Sequence, residues 1–215
     1  SIVFQTIKGY FNFELGLYFK ALFLIMLSDW ILYASLAIFC QVFAGNMPIG
    51  TLLFVLYLFV QEVPADLGYE HNLLVFPMAP EAPYSDMNGY GHYVAPFFWF
   101  SLYWFFCAAM VVGLCILFWV RGTETSWKVR FRLAARRFRG PVRAVMAAGF
   151  VGMAAVGIFI FYNTNMLNEY IPDDERVARQ AAYEKEFRQY KDISMPRITD
   201  VQADVDIFPS QRRVE

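Results

Sequence analysis

The sequence predicts an all-α transmembrane helical bundle of about four spans, followed by a water-soluble helix and the first strand of a truncated β-rich domain. Three observations support this fold class. Hydrophobic residues make up 58% of the chain and charged residues only 17%, which is low for a soluble protein. The apolar residues form long runs of the kind that a hydrocarbon solvent selects. Positive charge is segregated, because only Lys8 and Lys20 precede Arg121.

The first predicted span covers residues 21–43, which is long enough to cross a hydrocarbon core of about 30 Å. A central Asp29 costs roughly 3 kcal/mol of insertion free energy, and each central Leu, Ile, Phe or Val contributes about −0.3 to −0.6 kcal/mol, so insertion is still favoured. An intramembrane carboxylate is a candidate functional group. If the helix begins at Trp30, however, Ser28 or Asp29 is simply its N-cap, and we favour the cap.

Two further runs lie on either side of a polar loop. Residues 49–60 cover only roughly 18 Å, so residues 61–67 must complete a second crossing. Residues 93–120 contain no charged side chain and are long enough to cross with tilt. The sequence therefore predicts a short second span and a secure third one.

The fourth predicted span, residues 145–162, is just long enough to cross. Its Ala148 and Gly152 form a small-xxx-small pair that would let another helix approach closely. The three cysteines, Cys40, Cys107 and Cys115, all fall inside predicted spans, so we interpret them as small apolar packing residues rather than as disulfide partners.

Orientation follows from the charge of the loops. The loop at 121–143 is strongly basic and should be cytoplasmic, whereas the loop at 61–92 has no lysine or arginine and can lie outside. Lys8 and Lys20 argue mildly against an outer N-terminus. Between two spans, such charge determines topology more often than it binds nucleic acid, so no nucleic-acid partner is expected, although lipid headgroups can contact it. The topology-determining cations are Arg121, Lys128, Arg130, Arg132, Arg136, Arg137, Arg139 and Arg143.

The composition changes after the fourth span. Residues 172–191 predict a soluble helix with an acidic first turn, because carboxylates are favourable near the positive end of the helix dipole. Four-residue spacing pairs Glu175 with Arg179 and Glu184 with Arg188. An apolar stripe runs along the same helix through Tyr183, Phe187 and Tyr190.

Residues 201–207 alternate apolar and polar side chains, and the turn residues at 209–211 precede Val214, which predicts a strand entering a hairpin. A lone hairpin is marginal in water, so we expect the sequence to be a fragment that ends as a β-rich domain begins. The expected domains are a transmembrane region at 1–162, an extracytoplasmic linker at 163–197 and a truncated β domain at 198–215.

Three strings carry a family resemblance: LGYEHNL at 67–73, PYSDMNGYG at 83–91 and FYNTNMLNEY at 161–170. They resemble the membrane part of bacterial type-two ABC transporter permeases that are fused to an aminopeptidase-N-like zinc metallopeptidase domain. The string RGTET at 121–125 fits the same pattern. The resemblance implies an inner-membrane protein that works with a separate ABC ATPase subunit.

The resemblance also implies a pair of short re-entrant helices within residues 69–92 and an additional span that exports the peptidase. It places zinc and catalysis downstream of residue 215, so no catalytic residue and no cofactor are expected here. The sequence agrees with that expectation, since it contains no His-Glu-x-x-His, no phosphate-binding P-loop and no nucleophile elbow.

Polar residues in the outer loop allow two interpretations. His71 and His92, the only histidines, could bind a metal ion together with Glu70 and Asp86. The interpretation that we favour is structural: the polar side chains satisfy one another and the irregular backbone of a loop that dips toward the membrane. This structural set consists of Glu70, His71, Asn72, Ser85, Asp86 and Asn88.

Two functions remain compatible with the sequence. The first is a transport subunit whose helices form a pathway driven by a separate ATPase. The second is a multi-span anchor for an outer-surface metallopeptidase, without transport activity. Four spans and an elaborate outer loop exceed what a tether requires, so we favour transport. The bilayer is a partner in either case, and a homo-oligomer is compatible with both.

Overall fold

The computed structural model describes residues 2–9, 11–61, 63–66, 69–119, 126–193, 199–202, 207–208 and 213–214. The chain divides into two compact units, Ser1–Asp173 and Asp174–Glu215. In the first unit, a short helix at Ile2–Ile7 precedes the apolar helices. The candidate functional residues all lie in this first unit.

Three helices in the described residues are long and apolar enough to cross a membrane. They are the first long helix at Leu15–Ala44, the second at Gly91–Phe118 and the third at Pro141–Met166. These helices confirm three of the predicted spans. The remaining apolar run forms a short helix at Met47–Val60, whose 14 residues rise only roughly 21 Å. A fourth membrane-spanning helix is therefore not seen in the described residues.

The first long helix is continuous, although residues Ala21–Met26 adopt π-helical geometry. The predicted N-cap at Ser28 or Asp29 is wrong, because the helix begins more than two turns earlier. The Ser28 hydroxyl instead donates to the carbonyl oxygens of Leu24 and Ile25, at 2.8 and 2.6 Å. Such back-bonding satisfies a hydroxyl within an apolar helix. Asp29 consequently lies in the helix interior.

The short helix folds back along the first long helix. Gly50 allows the close approach, because a Cβ atom there would lie 2.6 Å from the Cα of Gln41. Further along the short helix, the Tyr33 hydroxyl donates to Oε1 of Gln61 at 3.2 Å. The chain therefore leaves the short helix beside Tyr33, in the middle of the first long helix, and a four-residue helix follows at Val63–Asp66.

The second and third long helices pack against each other through glycines. A Cβ atom at Gly149 would lie 3.0 Å from the Phe106 carbonyl oxygen, and one at Gly152 would lie 2.5 Å from the Phe106 ring. The packing role predicted for Gly152 is therefore confirmed. Ala148 is exposed, so Gly149 takes the place of the other small residue in the predicted pair.

The buried centre of the first unit lies where the first and second long helices meet. Leu32 is 1% exposed and packs with Trp104 and Ala108. Phe76, from the loop that precedes the second long helix, packs against the same cluster. This small core therefore holds a loop and two helices together.

A basic helix at Trp127–Arg137 connects the second and third long helices. We call the end of the bundle that bears this helix the basic end, and the opposite end, near Leu15 and Gly91, the loop end. The first and second long helices both run from the loop end to the basic end, and the third runs back.

The second unit contains most of the helix at Asp173–Phe187, which continues as a 3₁₀ turn at Arg188–Tyr190. Arg179 and Glu175 form the predicted ion pair at 2.7 Å. The predicted apolar stripe is also confirmed, because the rings of Tyr183 and Phe187 lie 4.5 Å apart and both are exposed. The pairing of Glu184 with Arg188 stays a prediction.

Two-residue strands at Ile207–Phe208 and Arg213–Val214 pair in antiparallel register, with Ile207 opposite Val214. Residues 201–202 have no regular structure, and residues 203–206 and 209–212 lie outside the described part. The longer predicted strand is therefore not shown, and the β domain at 198–215 stays a prediction.

Candidate functional site

The loop at 69–90, which we call the embedded loop, descends from the loop end into the apolar body of the bundle. The ring of Phe76 meets the Trp104 indole edge-on, with 5.2 Å between centroids. Trp104 lies roughly 20 Å along its helix from Gly91 at 1.5 Å per residue. The embedded loop thus extends about as far into the bundle from the loop end.

The described residues of the embedded loop form turns and one isolated bridge between Ser85 and Gly89, with no helix. The pair of re-entrant helices expected from the resemblance is therefore wrong for this stretch. The physical reason lies in the sequence, which places Pro77, Pro80 and Pro83 at intervals too short for a helix to form between them.

Irregular backbone away from water must find hydrogen-bond partners, because each unpaired group costs several kcal/mol in hydrocarbon. Aromatic side chains on the neighbouring helices supply them. The hydroxyl of Tyr57 donates to the carbonyl of Phe76, that of Tyr103 to Leu73 at 3.4 Å, and the indole N–H of Trp104 to Met78 at 2.7 Å. These three donors satisfy the deepest part of the loop.

His71 connects the embedded loop to the end of the third long helix. Its Nδ1 accepts a hydrogen bond from the backbone N–H of Leu73 at 3.2 Å, and its Nε2 lies 3.2 Å from Oγ1 of Thr164. Because the Thr164 hydroxyl donates to the Ile160 carbonyl, we assign Nε2–H as the donor to Thr164. This network requires a neutral imidazole. Burial lowers the pKa of His71, in agreement with that assignment.

Among the described residues, no side-chain hydrogen bond joins the other polar residues of the predicted set, although the backbone N–H of Asn88 donates to the Ser85 carbonyl at 3.3 Å. Glu70 accepts a hydrogen bond from the backbone N–H of Asp173 at 2.8 Å. Ser85 accepts one from the N–H of Met87 at 3.3 Å. Asn88 packs against Gly91, where a Cβ atom would lie 2.5 Å from the amide nitrogen. Asn72 is partly buried and Asp86 is exposed.

The two candidate metal ligands lie in different surroundings. His71 contacts Thr164 and the Tyr170 ring, whereas the His92 ring lies against Tyr93 with 4.1 Å between centroids and a tilt of 33°. Within the described residues, no three His, Cys, Asp or Glu side chains are grouped as metal ligands. A metal site in this loop therefore stays a prediction without a ligand set to support it.

A cavity of about 340 Å³ lies between the embedded loop and the first long helix. Asp29 and Tyr33 line it from the helix, and Glu81 lines it from the loop. Sequence analysis singled out Asp29 but gave Glu81 no role. The cluster of prolines around Glu81 is the signal that could have indicated a loop folded back onto the helix.

At the basic end, Arg130 is buried with 5% exposure. Its guanidinium donates to the carbonyls of Val42 and Phe43 in the first long helix and, at 3.4 Å, to that of Phe118 in the second. The last carbonyls of a helix have no intrahelical donor and carry the negative end of the dipole. Arg130 therefore caps two long helices at once, and it also stacks over Trp127 at 4.6 Å.

Arg137 has a similar role at the end of the second long helix. It donates to the carbonyls of Leu117, at 3.3 Å, and Trp119. Arg121 lies outside the described residues. The remaining predicted topology cations are exposed, namely Lys128, Arg132, Arg136, Arg139 and Arg143. The basic set therefore divides into two capping arginines and an exposed cationic surface.

Exposed aromatic side chains lie beside these cations. Trp127 and Phe131 of the basic helix are 42% and 58% exposed, and Phe138, which follows the helix, is 43% exposed. A helix with exposed cations and exposed aromatic rings is typical of elements that lie at a membrane interface or against a partner.

This structure defines the class of the first unit: a helical bundle with three candidate membrane-spanning helices and a loop embedded among them. Comparisons of the chain with models of protein families, with curated proteins and with solved structures found no match. The class therefore rests on the structure of the chain itself.

Replacement of Arg130 by Gln should lower the free energy of unfolding by about 3 kcal/mol or more, because hydrogen bonds to a charged group contribute roughly 1.5–3 kcal/mol each. Unfolding in mixed detergent micelles measures this loss. The matched control is Arg132→Gln, on the exposed face of the same helix, which should change stability by no more than about 0.5 kcal/mol. Equal effects of the two variants would contradict the capping role.

Acidification should destabilise the protein through His71. Since burial lowers the pKa in the folded state below the usual 6.5, its contribution is complete above pH 6.5 and is lost as the pH falls below that value. The melting temperature of the wild type should therefore drop more between pH 7.5 and pH 5 than that of His71→Gln. The control is His92→Gln, which removes the other histidine and leaves the contact of His71 with Thr164 in place. A wild-type profile for His71→Gln would exclude the neutral-imidazole network.

Proposed function

We propose that this chain is the membrane-spanning part of an ABC-type transporter permease in the bacterial inner membrane. In this proposal a separate ABC ATPase drives transport, and an extracytoplasmic aminopeptidase-like zinc domain is joined to the C-terminal side. The observation that carries the proposal is the embedded loop with the cavity beside it. Irregular backbone at membrane depth is tolerated only where protein buries it or where it lines a cavity.

A simple anchor needs one apolar helix and no internal cavity. Here three loop carbonyls accept hydrogen bonds from aromatic donors, and Asp29, in the middle of an apolar helix, lines the same cavity as Glu81. Carboxylates within membrane helices are costly, and they face cavities and pathways where they occur. These features support a transport role over a purely tethering one.

The proposed orientation puts the basic end in the cytoplasm. The exposed cations in and just after the basic helix lie at that end, as expected for a cytoplasmic loop. The loop end and the segment after the third long helix would then be extracytoplasmic. The short helix would supply most of the second predicted crossing, which residues 61–67 would complete.

The basic helix is the candidate contact for the ATPase. Arg130 bonds to the ends of two long helices, so a displacement of the basic helix would be transmitted to both of them. Its exposed cations are free to contact an acidic partner surface, since no salt bridge to them is present among the described residues.

Orientation can be tested with single cysteines at Glu81 and Ser126, in a background where Cys40, Cys107 and Cys115 are replaced by alanine. An impermeant maleimide should label Glu81→Cys from the extracytoplasmic side and Ser126→Cys only from the cytoplasmic side. Labelling of both positions from one side would overturn the orientation. As a control, each variant is labelled again after detergent solubilisation. A cysteine that stays unlabelled there is inaccessible in the folded protein and reports nothing about orientation.

Association with an ATPase can be tested by purification of the intact protein from its native membrane, followed by mass spectrometry of co-purifying subunits. We expect an ATPase subunit with the wild type and at least a several-fold loss with the double variant Arg132→Glu, Arg136→Glu. The control is Lys8→Glu with Lys191→Glu, which reverses two charges elsewhere. Aminopeptidase activity without an ATPase in any of several detergents would favour the anchor function instead.

A further inference from the structure

A cavity of about 830 Å³ lies at the basic end of the bundle, and all three long helices line it. The first helix contributes Ile38, the second contributes Val112 and Ile116, and the third contributes its first residues, Pro141 and Val142. Ile38, Val112 and Ile116 are 48%, 44% and 50% exposed. The cavity is therefore a groove on the outer, apolar surface of candidate membrane-spanning helices, where a hydrocarbon chain can lie.

The charge of this groove is entirely positive in the part of the chain that the structure describes. Its charged lining residues there are Arg137, the last residue of the basic helix, and Arg139, which lies just before the third long helix. Residues 126–143, the segment around them, contain no aspartate or glutamate. The electrostatic complement of the groove is therefore an anion, bound where the groove reaches the end of the bundle.

A tight turn keeps the two arginines close together. The backbone N–H of Arg139 donates to the carbonyl of Arg137 at 2.7 Å. Gly140 follows with a φ of +54°, a conformation that glycine adopts readily because it has no Cβ atom. The path of the backbone thus places both side chains at the same groove.

Arg137 keeps hydrogen-bond donors for an anion although it caps the second long helix. Its bonds to the carbonyls of Leu117 and Trp119 all use Nη1. A guanidinium has five N–H donors, and among the described residues neither Nε nor Nη2 of Arg137 has an acceptor. Arg139 is exposed. The pair can therefore donate charge-assisted hydrogen bonds to phosphate oxygens.

The apolar wall distinguishes a lipid from a soluble anion. A free phosphate needs only the arginines, whereas the groove continues along Ile116 to Val112, roughly 9 Å from the end of the second long helix at 1.5 Å per residue. Trp119 also lines the groove and is 51% exposed, and tryptophan is enriched at the level of lipid headgroups. Basic pockets between membrane helices bind anionic headgroups in other proteins.

We propose that this groove binds one anionic phospholipid molecule from the surrounding bilayer. The phosphate contacts Arg137 and Arg139, and an acyl chain lies along Ile116 and Val112, between the first and third long helices. The proposal goes beyond the transport function, because binding requires neither an ATPase nor a peptidase. It also differs from the general attraction of a basic loop to a membrane surface, because it assigns a site to a single molecule.

The matched probes are dioleoylphosphatidylglycerol and dioleoylphosphatidylcholine, which have the same acyl chains and differ in net charge. Native mass spectrometry of the purified intact protein in detergent, titrated with each lipid, measures the affinity for the first bound molecule. We expect phosphatidylglycerol to bind at least roughly fivefold more tightly, which is the contribution of one arginine near an anionic membrane surface. Glycerol 3-phosphate in excess should not displace the lipid, because it lacks the acyl chains.

Arg139→Gln tests the charge of the site, because Arg139 is exposed and its replacement leaves the helix cap of Arg137 in place. It should lower the affinity for phosphatidylglycerol by roughly fivefold and leave that for phosphatidylcholine nearly unchanged. The matched control is Arg132→Gln, which removes the same charge from an exposed position of the basic helix outside the groove. It should keep the wild-type affinity for both lipids.

A second pair of variants tests the apolar wall. Ile116→Trp fills the groove without changing its charge and should weaken the binding of both lipids. Its control is Val151→Trp, at an exposed position of the third long helix that does not line the groove, and it should weaken neither. The melting temperature of each variant verifies that the protein is folded.

Four outcomes would overturn the proposal. Equal affinities of the two lipids for the wild type would remove the role of the arginines, and displacement by glycerol 3-phosphate would identify a site for a free anion. Equal losses in Arg139→Gln and Arg132→Gln would indicate diffuse attraction to the basic helix. Unchanged binding in Ile116→Trp would exclude the groove. The assay contains no nucleotide, so its outcome is independent of ATPase association.

Discussion

Backbone carbonyls inside an apolar bundle need hydrogen-bond donors even where no helix supplies them, and the first unit of this protein depends on the side chains that provide these donors. The deep carbonyls of the embedded loop receive neutral donors, such as the Trp104 indole on Met78. The final carbonyls of the first and second long helices receive a guanidinium from Arg130. Without these donors neither the loop nor the helix ends could be buried.

The two kinds of donor suit their positions. A hydroxyl or indole N–H can be buried at moderate cost once it is paired, so Tyr57 and Trp104 serve near the middle of the bundle. A guanidinium needs several acceptors and is favoured by the negative ends of helices, which meet at the basic end. Arg130 therefore has a structural role there, and the cations of its exposed face remain available for headgroups or a partner.

Long apolar runs made the three long helices predictable, because a helix that crosses a hydrocarbon core needs only sufficient length and an apolar composition. The start of the first long helix was not predictable from its polar residues, since a serine can donate within a helix as well as cap one, as Ser28 does. Helical spacing could have separated the buried Arg130 and Ala134 and the half-buried Arg137 from the exposed Arg132. The donors of the embedded loop could not be predicted, because its contacts join distant residues and follow no period.

The cavity of about 340 Å³ beside Asp29 and the cavity of about 870 Å³ at the loop end are neighbours. Both are lined by Ile25, Ala82 and Phe97, so these side chains form the partition between the larger apolar cavity and the one that contains Asp29 and Glu81. Phe97 belongs to a long helix, whereas Ala82 belongs to the embedded loop. Ala82 therefore places the embedded loop in the wall of both cavities, so the position of the loop helps to set the shape of each.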